Sequence, residues 1–142
     1  MVPLEVTPGT RTVSVRAGGK ELAAGKVSIS AAGPGIFVLN GADLAQPGAV
    51  ENQDYAVNAA GNPADVGSVI QIFATGASPA DSAPAVKVYL GSTPAEVLYS
   101  GPSGYPGLWQ VNAKVPGDVS GQVPLFLTSH NFVSNAVTVW VR

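Results

Sequence analysis

Apolar and polar residues alternate along most of this chain, and the alternation is broken by Gly, Pro, Ser and Asn at intervals of about ten residues. That rhythm is the mark of short antiparallel strands joined by turns. Thr10–Arg16 sets Val13 and Val15 against Thr12, Ser14 and Arg16; Ala17-Gly18-Gly19-Lys20 turns the chain, and Lys26–Ser30 returns with Val27 and Ile29. Gly33-Pro34-Gly35 precedes a short apolar strand, Ile36–Leu39. A polar stretch follows from Asn40 to Asp65, in which Ala49-Val50-Glu51 and Tyr55-Ala56-Val57 can pair across Asn52-Gln53-Asp54. Gly67–Gly76 is apolar on both faces, as for a central strand, and Ala77–Pro84 reads as a loop. The inward rows then run Val86, Val88, Leu90; Ala95, Val97, Tyr99; Trp109, Val111, Ala113, Val115; Val123, Leu125, Leu127; and Val137, Val139, Val141.

These rows predict an all-β chain, an antiparallel β-sandwich with almost no helix. Its expected core comprises Val13, Val15, Val27, Ile29, Ile70, Ile72, Val86, Val88, Leu90, Val97, Trp109, Val111, Leu125, Leu127, Val137 and Val139. With 142 residues, 46% hydrophobic and only 11% charged, the chain suits one well-cored domain and not a disordered segment. The 17 Gly and 12 Pro fall between strands without a fixed period, so they mark turns.

Val2–Ser30 echoes Val115–Val141: a Val-Pro pair, a strand, a turn bearing Gly or Asn, and a final strand. Residues 1–32 are therefore either the tail of a preceding repeat or a hairpin adding outer strands to a single sandwich over 1–142. The second reading is preferred here, because isolated hairpins are barely stable.

Charge is unevenly distributed. Arg11, Arg16, Lys20 and Lys26 outweigh Glu5 and Glu21 near the start, whereas residues 27–86 hold no Lys or Arg and five acids, Asp43, Glu51, Asp54, Asp65 and Asp81. Solvated loops beside a basic edge strand explain this; so does head-to-tail contact between neighbouring copies. The expected state is a monomer with weak self-association. A net charge of −2 without a basic cluster argues against a nucleic-acid partner. No apolar run reaches membrane-spanning length, so no membrane insertion is expected, and residues 1–20 lack the apolar core of a signal peptide.

Little in the chain suggests chemistry. The absence of cysteine removes disulfides, thiol nucleophiles and Cys-ligated zinc. His130, the only histidine, sits in a turn-like Ser129-His130-Asn131 with no nucleophile elbow anywhere. Asp43, Glu51, Asp54 and Asp65 share one loop region but lack calcium-loop spacing. Neither a catalytic residue, a metal nor a cofactor is expected. Trp140 and Tyr89 alternate against inward valines and leucines and so face outward. With Tyr105 they are the candidate ligand-binding residues, since exposed aromatics stack on sugar rings or cover an interdomain contact.

The segments DVGSVIQIFATGAS, VKVYLGSTPAEVLYSG, LWQVNAKVPGDVSGQVPLFLTS and SNAVTVWV resemble the IPT/TIG branch of immunoglobulin-like domains. Gly33–Phe37, Asn52–Asn58, Asn62–Asp65 and Tyr105–Pro116 extend that resemblance to the C-terminal domain recurrent in secreted proteins of Acidobacteria such as Solibacter. Two departures are a short Ala77–Pro84 loop and Tyr55 where a turn glycine is usual. The resemblance implies an immunoglobulin-like sandwich, over 33–142 at least, in an exported, multidomain bacterial protein located outside the cell or at its surface. The expected function is a non-catalytic structural or adhesive module contacting neighbouring domains; the alternative is a carbohydrate-binding module taking glycan on Trp140, Tyr89 and Tyr105.

Overall fold

The computed structural model describes residues 6–76 and 85–142, so the predicted loop Ala77–Pro84 lies outside the described residues. The chain is all-β, its named strands pair antiparallel, and there is no α-helix among those residues. By contacts it divides into two compact units, one ending at Ala31 and one spanning Ala32–Arg142.

The first unit is a two-stranded ribbon, β1 (Gly9–Ala17) and β2 (Lys20–Ile29), in its own sheet. Alternation and the Gly18-Gly19 turn form it as the sequence predicts. The predicted burial does not follow: Val13 is 52% exposed, Val15 56%, and Val27 is exposed as well. These three residues, together with half-buried Ile29, are not part of the core, because a ribbon of two strands has no second layer to bury its apolar face.

The second unit contains β3 (Gly35–Ile36), β4 (Val50–Glu51), β5 (Val69–Thr75), β6 (Val86–Leu90), β7 (Thr93–Pro102), β8 (Trp109–Lys114), β9 (Gly121–Ser129), β10 (Phe132–Val133) and β11 (Val137–Val141). Strand β7 passes between two halves of the sheet. Thr93–Ala95 pairs with β6, and Glu96–Pro102 pairs with β8, with a bulge between Val97 and Tyr99. One half then reads β11-β9-β6-β7 and the other β7-β8-β5 with β3 and β4. Their inward faces meet in one core, in which Ile70, Ile72, Val88, Leu90, Val111, Leu125, Val137 and Val139 are buried as predicted, with Val97 and Trp109 packed at its margin. The bulge also turns Tyr99 out of its predicted inward row, since one extra residue shifts a strand by one face.

The stretch between β3 and β5 closes the outer edge of β11. Thr138 N donates to Gln46 O (2.9 Å), Gly48 N to Thr138 O (3.0 Å), Ala64 N to Trp140 O (2.9 Å) and Arg142 N to Ala64 O (2.9 Å), while Val50 pairs with Ile72 of β5. Two asparagines complete the seam with their side chains. Asn58 Oδ1 accepts from Trp140 N (2.7 Å) and its Nδ2 donates to Trp140 O (2.9 Å). Asn135 does the same to Ile36, at 2.8 and 3.0 Å.

Candidate contact surfaces

The outer face of the β11-β9-β6 half carries Trp140, Pro124, Phe126 and Tyr89. Tyr89 and Phe126 are direct cross-strand partners, and their rings stack 5.0 Å apart at 12°. Trp140 is opposite Gln122, four residues back along β9, so Pro124 and Phe126 intervene between it and Tyr89. Both candidates are half-buried. Tyr105 is on the turn joining β7 to β8, in the other half of the sheet, and is 72% exposed. The fold thus brings Trp140 and Tyr89 to one face and sets Tyr105 elsewhere.

The outer face of β5, β8 and β7 carries a second constellation that strand alternation alone does not single out. Gln71, Asn112 and Tyr99 are opposite one another across the three strands, and Phe73, Gln110 and Gly101 form the next row. Gln110 Nε2 donates to Gln71 Oε1 (3.0 Å) and to Asn112 Oδ1 (2.9 Å), locking the amides into a ladder. The Tyr99 ring lies over Gly101, where a Cβ would fall 2.4 Å from its hydroxyl, and the hydroxyl donates to Pro102 O (3.0 Å). Amide ladders of this kind present both donors and acceptors beside an aromatic ring. The sequence signal for it is the polar alternation of Gln110, Asn112 and Lys114 against inward Val111 and Ala113; the bulge that adds Tyr99 has no such signal.

Two shallow hollows flank the bend in β7. One, of about 250 Å³, is lined by Val86, Lys87, Tyr89, Pro94 and Val97 among others. The other, of about 330 Å³, opens between Val66, Gly67, Glu96, Lys114 and Pro116.

Two acids of the 40–66 stretch, Asp43 and Asp54, serve its turns. Asp43 Oδ1 accepts from Ala45 N (2.8 Å) and Asp54 Oδ1 from Ala56 N (3.1 Å), as short side chains do in loops. Asp65 is held below the usual carboxylate range by its hydrogen bond from Arg142 Nε (2.7 Å) and by that charge, while the Arg142 guanidinium is correspondingly raised. Among the described residues no group of three or more His, Asp or Glu is placed to hold a metal ion. His130 and Asn131, both at positive φ, make the two-residue turn between β9 and β10.

On the ribbon, register sorts the side chains by face. Arg11, Val13 and Val15 share one face with Ala23, Val27 and Ile29; Thr12, Ser14, Lys26 and the Arg16–Glu21 ion pair (3.3 Å) occupy the other. The sequence matches no protein-family model and no curated protein.

Proposed function

We propose that this chain is a non-catalytic structural and adhesive module of an exported, multidomain bacterial protein, built around an immunoglobulin-like unit of IPT/TIG type. Its task is contact with neighbouring units. The observation that carries this reading is the β1–β2 ribbon, a two-stranded sheet of its own on which Val13, Val15 and Val27 are exposed on one face. A two-stranded ribbon is marginal by itself in water, and an apolar face on it is stabilised by a covering partner. The test is amide exchange in β1 and β2, measured in the 142-residue protein and in the exported polypeptide that contains it. Strong protection in the longer polypeptide is expected; equally rapid exchange in both would overturn the reading.

A second reading, glycan binding, draws support from the amide ladder of Gln71, Gln110 and Asn112 beside Tyr99, and from the outward Trp140 and Tyr89. Amides suit sugar hydroxyls, and aromatic rings suit sugar faces. Glycan-array binding that disappears in Tyr99→Ala or Trp140→Ala would favour it over the contact role. Turnover of a substrate by the purified protein would refute both.

A further inference from the structure

The ribbon and the closing hairpin of the second unit share strand length, turn and register at both ends. Strand β1 begins at Gly9 and β9 at Gly121, each glycine at positive φ (120° and 79°), and each strand runs nine residues. Both then reverse through two residues of left-handed conformation, Gly18-Gly19 (55°, 77°) and His130-Asn131 (48°, 71°). Return pairing matches at the turn and at the far end under a constant offset of 112 residues. Ala17 pairs with Lys20 as Ser129 does with Phe132, and Arg16 with Glu21 as Thr128 does with Val133. At the far end Val13 pairs with Gly25, Arg11 with Val27 and Gly9 with Ile29, as Leu125 does with Val137, Val123 with Val139 and Gly121 with Val141. Even the irregularity between Val15 and Arg16 corresponds to the break between β10 and β11. Upstream, the Val-Pro-x-acid-Val-(Thr/Ser) run recurs at Val2 and at Val115, one residue longer at the first site.

In the second unit this hairpin buries Leu125, Leu127, Val137, Val139 and Val141 in the core. The equivalent positions of the ribbon are Val13, Val15, Gly25, Val27 and Ile29, apolar at every position but Gly25, while Val123 at the core margin corresponds to Arg11 on the same face. Shared register places that row on the face that a core of the same architecture would cover.

We infer that β1–β2 is the closing hairpin of another unit of this architecture, and that its apolar face docks on strands equivalent to β3–β8 that precede it in the polypeptide. A second copy of the Ala32–Arg142 unit does not fit the role, because there the place is already filled by β9, β10 and β11. The inference rests on the contact role proposed above and names its partner: a tandem unit with a repeat of 112 residues.

The test extends the chain with its own material, joining Ala32–Pro116 to Leu4 so that the ribbon follows a copy of β3–β8. Exchange of the β1–β2 amides should slow by on the order of a hundredfold or more, and a second cooperative unfolding transition should appear. Val13→Asp should abolish that transition and leave the one belonging to Ala32–Arg142. A companion version carrying Val13→Leu, Val15→Leu and Gly25→Val gives the ribbon the bulk of β9 and β11, in case the native side chains underfill the duplicated core. Unchanged ribbon exchange in both versions would overturn the inference. Protection in the exported polypeptide without protection in either fusion would overturn it while leaving the contact role standing; absence of protection everywhere would end both.

Discussion

The carboxamide of Asn58 pairs with the backbone of Trp140 as a neighbouring strand would, accepting from its N–H at 2.7 Å and donating to its C=O at 2.9 Å across 82 residues of sequence. Asn58 Nδ2 also donates to Asn52 Oδ1 (2.9 Å), and Asn52 Nδ2 in turn to Asn62 O (2.8 Å), so the buried amides form one satisfied network. Networks of this kind are worth most when complete. Asn58→Ala should therefore cost about 2–4 kcal/mol, the price of stranding two or three buried polar groups. Asn58→Asp should cost more at neutral pH, because a buried carboxylate would face two oxygens. Its loss should shrink as the pH falls and the carboxyl is protonated. Urea unfolding at pH 7 and pH 4 measures both, and a stability of Asn58→Asp that is flat with pH would contradict the geometry.

Tyr55 occupies the left-handed region at φ 65° and is 74% exposed. Its ring has little packing to lose, and its N–H, bonded to Asn52 O at 2.9 Å, survives substitution by glycine. Relief of the strain outweighs the added freedom of the unfolded chain, so Tyr55→Gly should stabilise the protein by about 0.5–1 kcal/mol. A lowered Tm would show that the ring matters more than its backbone angle.

Gly76 and Gly33 approach so closely that a Cβ on Gly76 would lie 1.8 Å from Gly33 O, and Gly33 N donates to Gly76 O at 2.8 Å. Gly76→Ala should cost about 2–4 kcal/mol, since strained φ and a backbone clash act together. Gly91 is the control: its φ of 63° is similar, but nothing lies within 4 Å of an added Cβ. Gly91→Ala should lose only about 1 kcal/mol. Equal losses at the two sites would mean that conformation alone, and not crowding, governs Gly76.

Asp65 has its pKa lowered by Arg142. A depressed carboxylate contributes stability that is fully present above its unfolded value, about 3.9, and is lost as the pH falls through the lower native value. The pair is well exposed, so the contribution is small. Asp65→Asn should flatten the acid limb of the stability curve below pH 4 and barely change stability at pH 7. A large loss at pH 7 would point to a role beyond this pair.

Self-association should be weak and salt-sensitive, with the basic ribbon of one copy meeting the acidic 40–66 loops of another. The Arg16–Glu21 and Asp65–Arg142 pairs already neutralise part of each field. Sedimentation at low ionic strength should reveal association that fades near 0.15 M salt, where screening acts over about 8 Å. A tight, salt-insensitive dimer would indicate an apolar contact instead.

Local sequence determined the strands, because two-residue alternation and turn-forming residues act over a few positions. The rows through Ile70, Val88, Val111, Leu125 and Val139 face inward as the pattern dictates. Tertiary structure alone decided three things. Val13, Val15 and Val27 carry the same alternation yet stay exposed, because burial requires a second layer and alternation specifies only which face would receive it. Tyr99 was turned outward by one extra residue in β7, a displacement set by pairing with β8 rather than by neighbours in sequence. Asn58 and Asn135 look like ordinary loop residues until the fold brings each against a backbone more than eighty residues away. In each case the deciding contact is long-range, and a pattern with a period of two residues carries no information about it.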